Sequence, residues 1–230
     1  MSAHPPGSRR SSLSAGNQRK TAMGKIVQGS AGQDGIVGST GNDFLFGGDG
    51  NDIIYSSIGN DLLAGQGGND TLIGGGGLNT YIGGTGKDVI INSGTGWNRC
   101  LYVINPGDTG NTTETADEIY NFHQFDQILV NKYVATGSHL AQENTRINSI
   151  EDAVRAAKGH HVAESLAGRG HQSACMYQNP VQKMSYLVMD MNGDGSFESG
   201  VILHDFYITD SHDVNKSLHD FMDDWLVYKA

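Results

Sequence analysis

From Gly29 to Ile91 an apolar side chain recurs every nine residues, a spacing that fits neither the turn of a helix nor the simple alternation of a strand. Set out in nines, the chain reads GSAGQDGIV, GSTGNDFLF, GGDGNDIIY, SSIGNDLLA, GQGGNDTLI, GGGGLNTYI and GGTGKDVII. The eighth position holds Ile36, Leu45, Ile54, Leu63, Leu72, Tyr81 and Ile90. The fourth is always glycine (Gly32, Gly41, Gly50, Gly59, Gly68, Gly77, Gly86), and the sixth is Asp34, Asp43, Asp52, Asp61, Asp70, Asn79 and Asp88. Each copy joins a glycine-rich half that can turn to a three-residue half whose middle side chain opposes its neighbours, as in a short strand. One copy per half circuit makes a coil of 18 residues, with the eighth-position side chains stacked inward as a core one residue wide. The pattern predicts a mainly β protein, a right-handed parallel β-roll over 29–91 continuing into a β-rich part, 92–230, with a short helix.

The acidic column gives this roll its chemistry. An 18-residue coil sets Asp34, Asp52, Asp70 and Asp88 along one edge and Asp43, Asp61 and Asn79 along the other. Carboxylates stacked at strand spacing repel unless a cation lies between them. Turn carbonyls, from Gly48 and from the fourth-position glycines, add neutral oxygens. Calcium accepts roughly six to eight such oxygens in loose geometry, whereas magnesium holds to fewer and tighter ones. The expected cofactor is therefore Ca²⁺, in about five inter-coil sites, with the Asp61/Asn79 site the weakest because Asn79 lacks a charge. Ser56, Ser57 and Gln66 stand where other copies have glycine and predict less regular turns, and Gly35 in the first strand predicts a frayed cap.

Residues 29–91 resemble the parallel β-roll of the RTX (repeats-in-toxin) proteins, consensus GGxGxDxUx. That resemblance implies calcium bound between turns and bacterial export by a type I secretion apparatus. DEIYNFHQFDQILV (117–130) and YLVMDMNGDGSFESGVIL (186–203) are similar to the region that follows the roll in serralysin-type proteases. The final HDFMDDWLVYKA (219–230), with Asp223 and Asp224 ahead of Trp225, Leu226 and Val227, resembles an uncleaved type I export signal, and reads equally as a terminal amphipathic helix. Between these stretches, SIEDAVRAAKG (149–159) predicts a short helix with a serine cap, stopped by Gly159. Asp190, Asn192 and Asp194 copy the first half of an EF-hand loop, but Val201 occupies the twelfth position. A hairpin turn is the favoured reading there, an extra calcium site the other.

Charge and composition narrow the rest. The net charge of −10 is uneven, because the first 28 residues carry Arg9, Arg10, Arg19, Lys20 and Lys25 and no acid. They read as a disordered basic lead, in which the twin arginines lack the apolar stretch of a cleaved signal and Met23 offers an alternative start. The acidic remainder disfavours nucleic acid and anionic lipid and favours cations. Cys100 and Cys175 are compatible with one bridge or two free thiols. Outward-facing Val37, Ile53, Tyr55, Ile73, Val89 and Ile91 on one sheet, and Phe44, Phe46, Leu62 and Ile82 on the other, are more apolar than solvent favours, and the first set is expected to be covered by residues 100–230.

No HExxH, GxSxG or P-loop pattern occurs, and His160, His161, Glu164 and His171 match no zinc spacing, reading instead as a surface loop. The sequence thus points to a non-enzymatic, secreted calcium-binding protein whose roll folds on meeting Ca²⁺ outside the cell. The other readings are an accessory module of a secreted enzyme (protease, lipase or polysaccharide epimerase) and a membrane-active or adhesive RTX protein, which would add membrane or polysaccharide contact.

Overall fold

The computed structural model describes residues 23–94, 99–123, 125–130, 139–143, 146–166, 174–192, 194–206 and 226–228. Short strands alternate between two stacked sheets, one per nonapeptide. β1 (Ile26–Gln28), β3 (Phe44–Asp49), β5 (Leu62–Gly67) and β7 (Thr80–Thr85) build one sheet. β2 (Gly35–Val37), β4 (Ile53–Tyr55), β6 (Thr71–Gly74) and β8 (Val89–Asn92) build the other. All these pairs are parallel, and partners such as Ile54↔Leu72 and Leu45↔Leu63 are 18 residues apart, so the coil has the length the repeat predicts. The six eighth-position side chains from Leu45 to Ile90 are at most 4% exposed, and Ile36 is 5%. Stacked in line between the sheets, they are a core built from local periodicity alone.

Two boundaries differ from the sequence reading. The coil begins before Gly29, because β1 lies within the stretch read as a lead and pairs with β3. It also outlasts Ile91. β9 (Leu101–Ile104) joins the first sheet beside β7, β10 (Asp117–Tyr120) joins the second beside β8, and β11 (Gln127–Val130) returns to the first beside β9. Tyr102, Ile119 and Ile128 extend the inward column, each at most 1% exposed. The nine-residue period disappears there because the connecting segments lengthen, while the strand cores keep their pattern.

Beyond β10 the second sheet turns antiparallel. β15 (Ser199–His204) pairs parallel with β10 and antiparallel with β14 (Met184–Met189), which pairs antiparallel with β13 (Ala174–Asn179). β12 (His139–Glu143) closes that edge, and β16 (Leu226–Tyr228) closes the edge of the first sheet beside β11. So residues 226–228 are strand, and the rest of the terminal stretch read as an export signal or helix lies outside the described residues. Helix α1 (Ile150–Leu166) covers the second sheet, setting Ile150, Ala153, Val154 and Ala157 against Cys175, Tyr177, Tyr186 and Val188. The helix runs through Gly159, exposed and touching nothing within 4 Å of a built Cβ, because one glycine costs a helix less than packing returns. His160, His161 and Glu164 therefore sit on helix, not loop, and His171 lies outside the described residues.

Among the described residues, the expected docking of 100–230 across the outward face of the roll is not seen at Val37, Ile53 and Tyr55. The C-terminal strands add edge to edge, leaving Val37, Ile53 and Tyr55 63%, 50% and 43% exposed, because backbone pairing to β8 and β7 satisfies whole strands at once. Cys100 and Cys175 are both buried and are not joined by a disulfide. No helix among the described residues is long and apolar enough to cross a membrane.

Candidate metal centre

The sixth-position side chains from Asp52 to Asp88 all do the same backbone task. The Asp34 amide donates to Asp52 Oδ1 at 2.8 Å, Asp52 to Asp70 at 2.7 Å, and Asp70 to Asp88 at 2.8 Å. On the opposite edge Asp43 donates to Asp61 Oδ1 at 2.8 Å, and Asp61 to Asn79 Oδ1 at 3.0 Å. One oxygen of each side chain thereby caps the amide of the preceding coil. The second oxygen is another matter. Among the described residues, Asp52, Asp61, Asp70 and Asp88 each bury Oδ2 with no hydrogen-bond partner. A buried anionic oxygen without a donor is costly, and three along one edge with a fourth on the other require compensation.

The glycine that opens a turn shapes the space around that oxygen. A Cβ built on Gly47 would lie 2.2 Å from Asp52 Oδ2 and 2.6 Å from the Gly65 carbonyl oxygen. On Gly65 it would lie 2.2 Å from Asp70 Oδ2 and 2.5 Å from the Gly83 oxygen, and on Gly83 2.3 Å from Asp88 Oδ2. Carboxylate and carbonyl oxygens from neighbouring coils thus converge where a side chain would begin, a cradle of oxygens with no donor. Such a donor set fits a hard divalent cation of loose coordination, Ca²⁺ above all. Asp52, Asp70 and Asp88 would hold it along this edge, and the ion would supply the positive charge their buried oxygens lack; the Asp61 turn opens instead with the buried Ser56.

Fourth-position glycines have a related task. In Gly50, Gly59, Gly68, Gly77 and Gly86 φ lies between 110° and 151°, and a Cβ on Gly68 would meet the Gly50 oxygen at 2.2 Å. Gly32, Gly41, Gly50, Gly59 and Gly68 each turn backbone toward the glycine of the next coil, and Gly48, at φ 114°, turns with them. Ser57 and Gln66 keep the left-handed turn, both at φ 80°, so the expected irregularity is absent; the ladder over-determines the backbone there.

Electrostatics separates the first coil from the rest. The Ser30 amide and hydroxyl both donate to Asp34 Oδ2, and those bonds hold its pKa below the usual value. In Asp43, burial is outweighed by donation from Ser39 and from the Lys25 amide, and the pKa is again lowered. These two aspartates, included in the expected set of about five sites, are already satisfied by protein donors. The first copy is thus a serine-capped end. Further along, burial and then the neighbouring carboxylate push Asp70 up to about 6 and Asp88 up to about 7. Burial also raises Asp61.

Two parts of the ladder escaped the sequence reading. Asp117 Oδ1 accepts from the Asp88 amide at 2.9 Å, so the acidic edge continues onto β10; burial and the charge of Asp88 push Asp117 up to about 9. Cys100 takes the corresponding place on the other edge, and its amide donates to Asp126 Oδ1 at 2.8 Å. The signal was present in ADEIY and FDQIL, which repeat the Asp-x-apolar order of GNDII. Fifth-position asparagines form an outer ladder: Asn51 Oδ1 accepts from the Asn69 amide, Asn42 from Asn60, and Asn69 from Lys87, at 2.8–2.9 Å. Recurrence of GND in four copies was its trace.

β14 and β15 are antiparallel neighbours joined by the nine-residue connection 190–198, which agrees with the hairpin reading of this stretch. Asp190, Asp194 and Glu198 each bring an oxygen within 4.8 Å of the others, while Glu198 Oε1 accepts from the Met191 and Asn192 amides. Glu198, at the ninth loop position, was missed because the EF-hand pattern directs attention to the twelfth.

Residues 28–63 and 56–90 match the family model of the RTX calcium-binding nonapeptide repeat, four copies. The coil carries RTX repeats. Their calcium-binding character agrees with the oxygen-only cradles, and the RTX matches end at residue 90, where the connections lengthen. Among solved structures the chain is similar to the AlgE6R3 subunit of the Azotobacter vinelandii mannuronan C5-epimerase, with 20% identity over 76% of this chain and 73% of that one and a TM-score of 0.39. No curated protein matches.

Proposed function

We propose that this is a secreted calcium-binding protein whose RTX roll stays unfolded in the calcium-poor cytosol, passes through a type I secretion apparatus, and folds on meeting calcium outside. The observation that carries the reading is the set of four buried, unpartnered carboxylate oxygens at Asp52, Asp61, Asp70 and Asp88. Without a cation those groups must repel or take up protons, and either outcome disfavours the stacked coil at neutral pH. Extracellular calcium modules bind with Kd on the order of 10⁻⁴ to 10⁻³ M. At about 1 mM calcium and Kd near 10⁻⁴ M, each ion adds about 1.4 kcal/mol, so several ions supply a large part of an ordinary domain's stability. Similarity of 117–130 and 186–203 to the serralysin tail supports the export reading, as does the acidic-then-apolar order of 219–230.

A far-UV circular dichroism titration from chelator into calcium tests this on the wild type and on Asp52→Ala/Asp70→Ala. Cooperative gain of β signal with calcium, absent with magnesium and lost in the double variant, is the expected result. A roll fully folded in chelator at neutral pH would remove the gating.

A further inference from the structure

The sixth copy, GGGGLNTYI, departs from the others at two positions at once, with Asn79 in the aspartate column and Tyr81 in the aliphatic one. Both are buried, at 1% and 0% exposure. Asn79 Oδ1 accepts from the Asp61 amide, as a ladder aspartate would, and this fixes the direction of its amide group. Nδ2 must then take the place where Asp52, Asp70 and Asp88 hold their unpartnered oxygens. It donates to the Gly75 carbonyl at 3.2 Å and to the Tyr81 hydroxyl at 3.5 Å.

The cradle itself is filled. A Cβ on Gly74 would meet Tyr81 Oη at 1.8 Å and Asn79 Nδ2 at 2.9 Å, where Gly47 and Gly65 face a carboxylate oxygen and a carbonyl from the next coil. Tyr81 is held in that place by stacking on Tyr102, ring centroids 5.0 Å apart. An amide NH₂ has no lone pair for a cation and directs two N–H dipoles at the space, so it both satisfies the turn and repels a metal.

We propose that Asn79 and Tyr81 act as a pair that closes the 74–79 turn to calcium and holds it folded without an ion. Calcium is then concentrated on the edge that carries Asp52, Asp70 and Asp88. The pair decides where along the roll the metal is taken, and the inference rests on the calcium reading above. A single change would not reopen the turn: Asn79→Asp alone would still face the tyrosine hydroxyl, and Tyr81→Leu alone would leave the amide.

The test is a count of bound calcium per full chain by equilibrium dialysis at saturating calcium, with folding checked by circular dichroism. Asn79→Asp/Tyr81→Leu is expected to hold one ion more than the wild type. Asn79→Ala is expected to hold the same number as the wild type but to melt at a lower temperature. A folded double variant with an unchanged count, or loss of an ion in Asn79→Ala, overturns the proposal. Should the double variant fail to fold, the Asn79→Ala count decides. A wild type that holds no calcium overturns the calcium reading itself, and this inference with it.

Discussion

At the scale of single residues, glycine in this protein marks places where oxygen atoms need the volume of a Cβ. Gly65 is the clearest case, because an added methyl would lie 2.2 Å from Asp70 Oδ2 and 2.5 Å from the Gly83 oxygen. Gly65→Ala is therefore expected to destabilise the calcium-loaded protein by about 2–3 kcal/mol and to weaken calcium binding, read by urea unfolding at fixed calcium. Gly76→Ala is the control: it meets nothing within 4 Å and should change stability by less than about 0.5 kcal/mol. The carboxyls add a pH dependence. Asp70, Asp88 and Asp117 have folded pKa values of about 6, 7 and 9, all above the ordinary carboxylate value, so the metal-free folded state holds protons that the unfolded chain releases. Stability of the calcium-free protein should then fall as pH rises from about 4 through 7, and further toward 9, whereas calcium should oppose that loss. Thermal melts from pH 4 to 9 with and without calcium check this, and Asp117→Asn should flatten the upper part of the calcium-free curve.

Elements in the roll owe little to intrinsic propensity. Strands of three or four residues such as Gly35–Val37 and Ile53–Tyr55 would not persist alone; each exists because the strand one coil away pairs with it and the column packs beneath it. The helix is the contrasting case. Its inward face is Ile150, Ala153, Val154 and Ala157, and it tolerates Gly159 on the exposed side. Gly159→Ala is expected to stabilise the protein by about 1 kcal/mol, measured by thermal or urea unfolding, since the methyl meets nothing and alanine favours helix. Here the sequence identified the helix and its capped start, but not its end, because a single exposed glycine costs a helix only about 1 kcal/mol and does not by itself stop it.

For the whole molecule, the decisive feature is that the roll and the C-terminal part share one core. Ile36 through Ile90 form a single cluster with Tyr102, Ile119, Ile128, Leu187, Val201 and Leu203, and β10 pairs with the roll on one side and with β15 on the other. Lys87 of the roll and His204 of β15 both reach Glu118 of β10, at 2.6 and 3.0 Å. Metal binding in the coil and folding of the C-terminal strands should consequently be coupled. Ile119→Ala, a cavity at that junction, is expected to cost about 3 kcal/mol and to shift the calcium midpoint of folding upward, a shift that a circular dichroism titration would read.

The sequence by itself determined the coil: a fixed nine-residue spacing of glycine, acid and aliphatic admits only a stacked turn-strand geometry, so the two sheets, the inward column and the acidic edges follow from local pattern. It also indicated the class of metal, because oxygen donors at that repeat favour calcium. Only the tertiary structure decided which aspartates need an ion. Asp34 and Asp43 are satisfied by Ser30 and Ser39, whereas Asp52, Asp70 and Asp88 are not, and that difference depends on which donors the fold brings to the second carboxylate oxygen. It likewise decided that the coil runs on to Ile128, because strand pairing and burial persist after the intervening segments have become too irregular in length for any period to show.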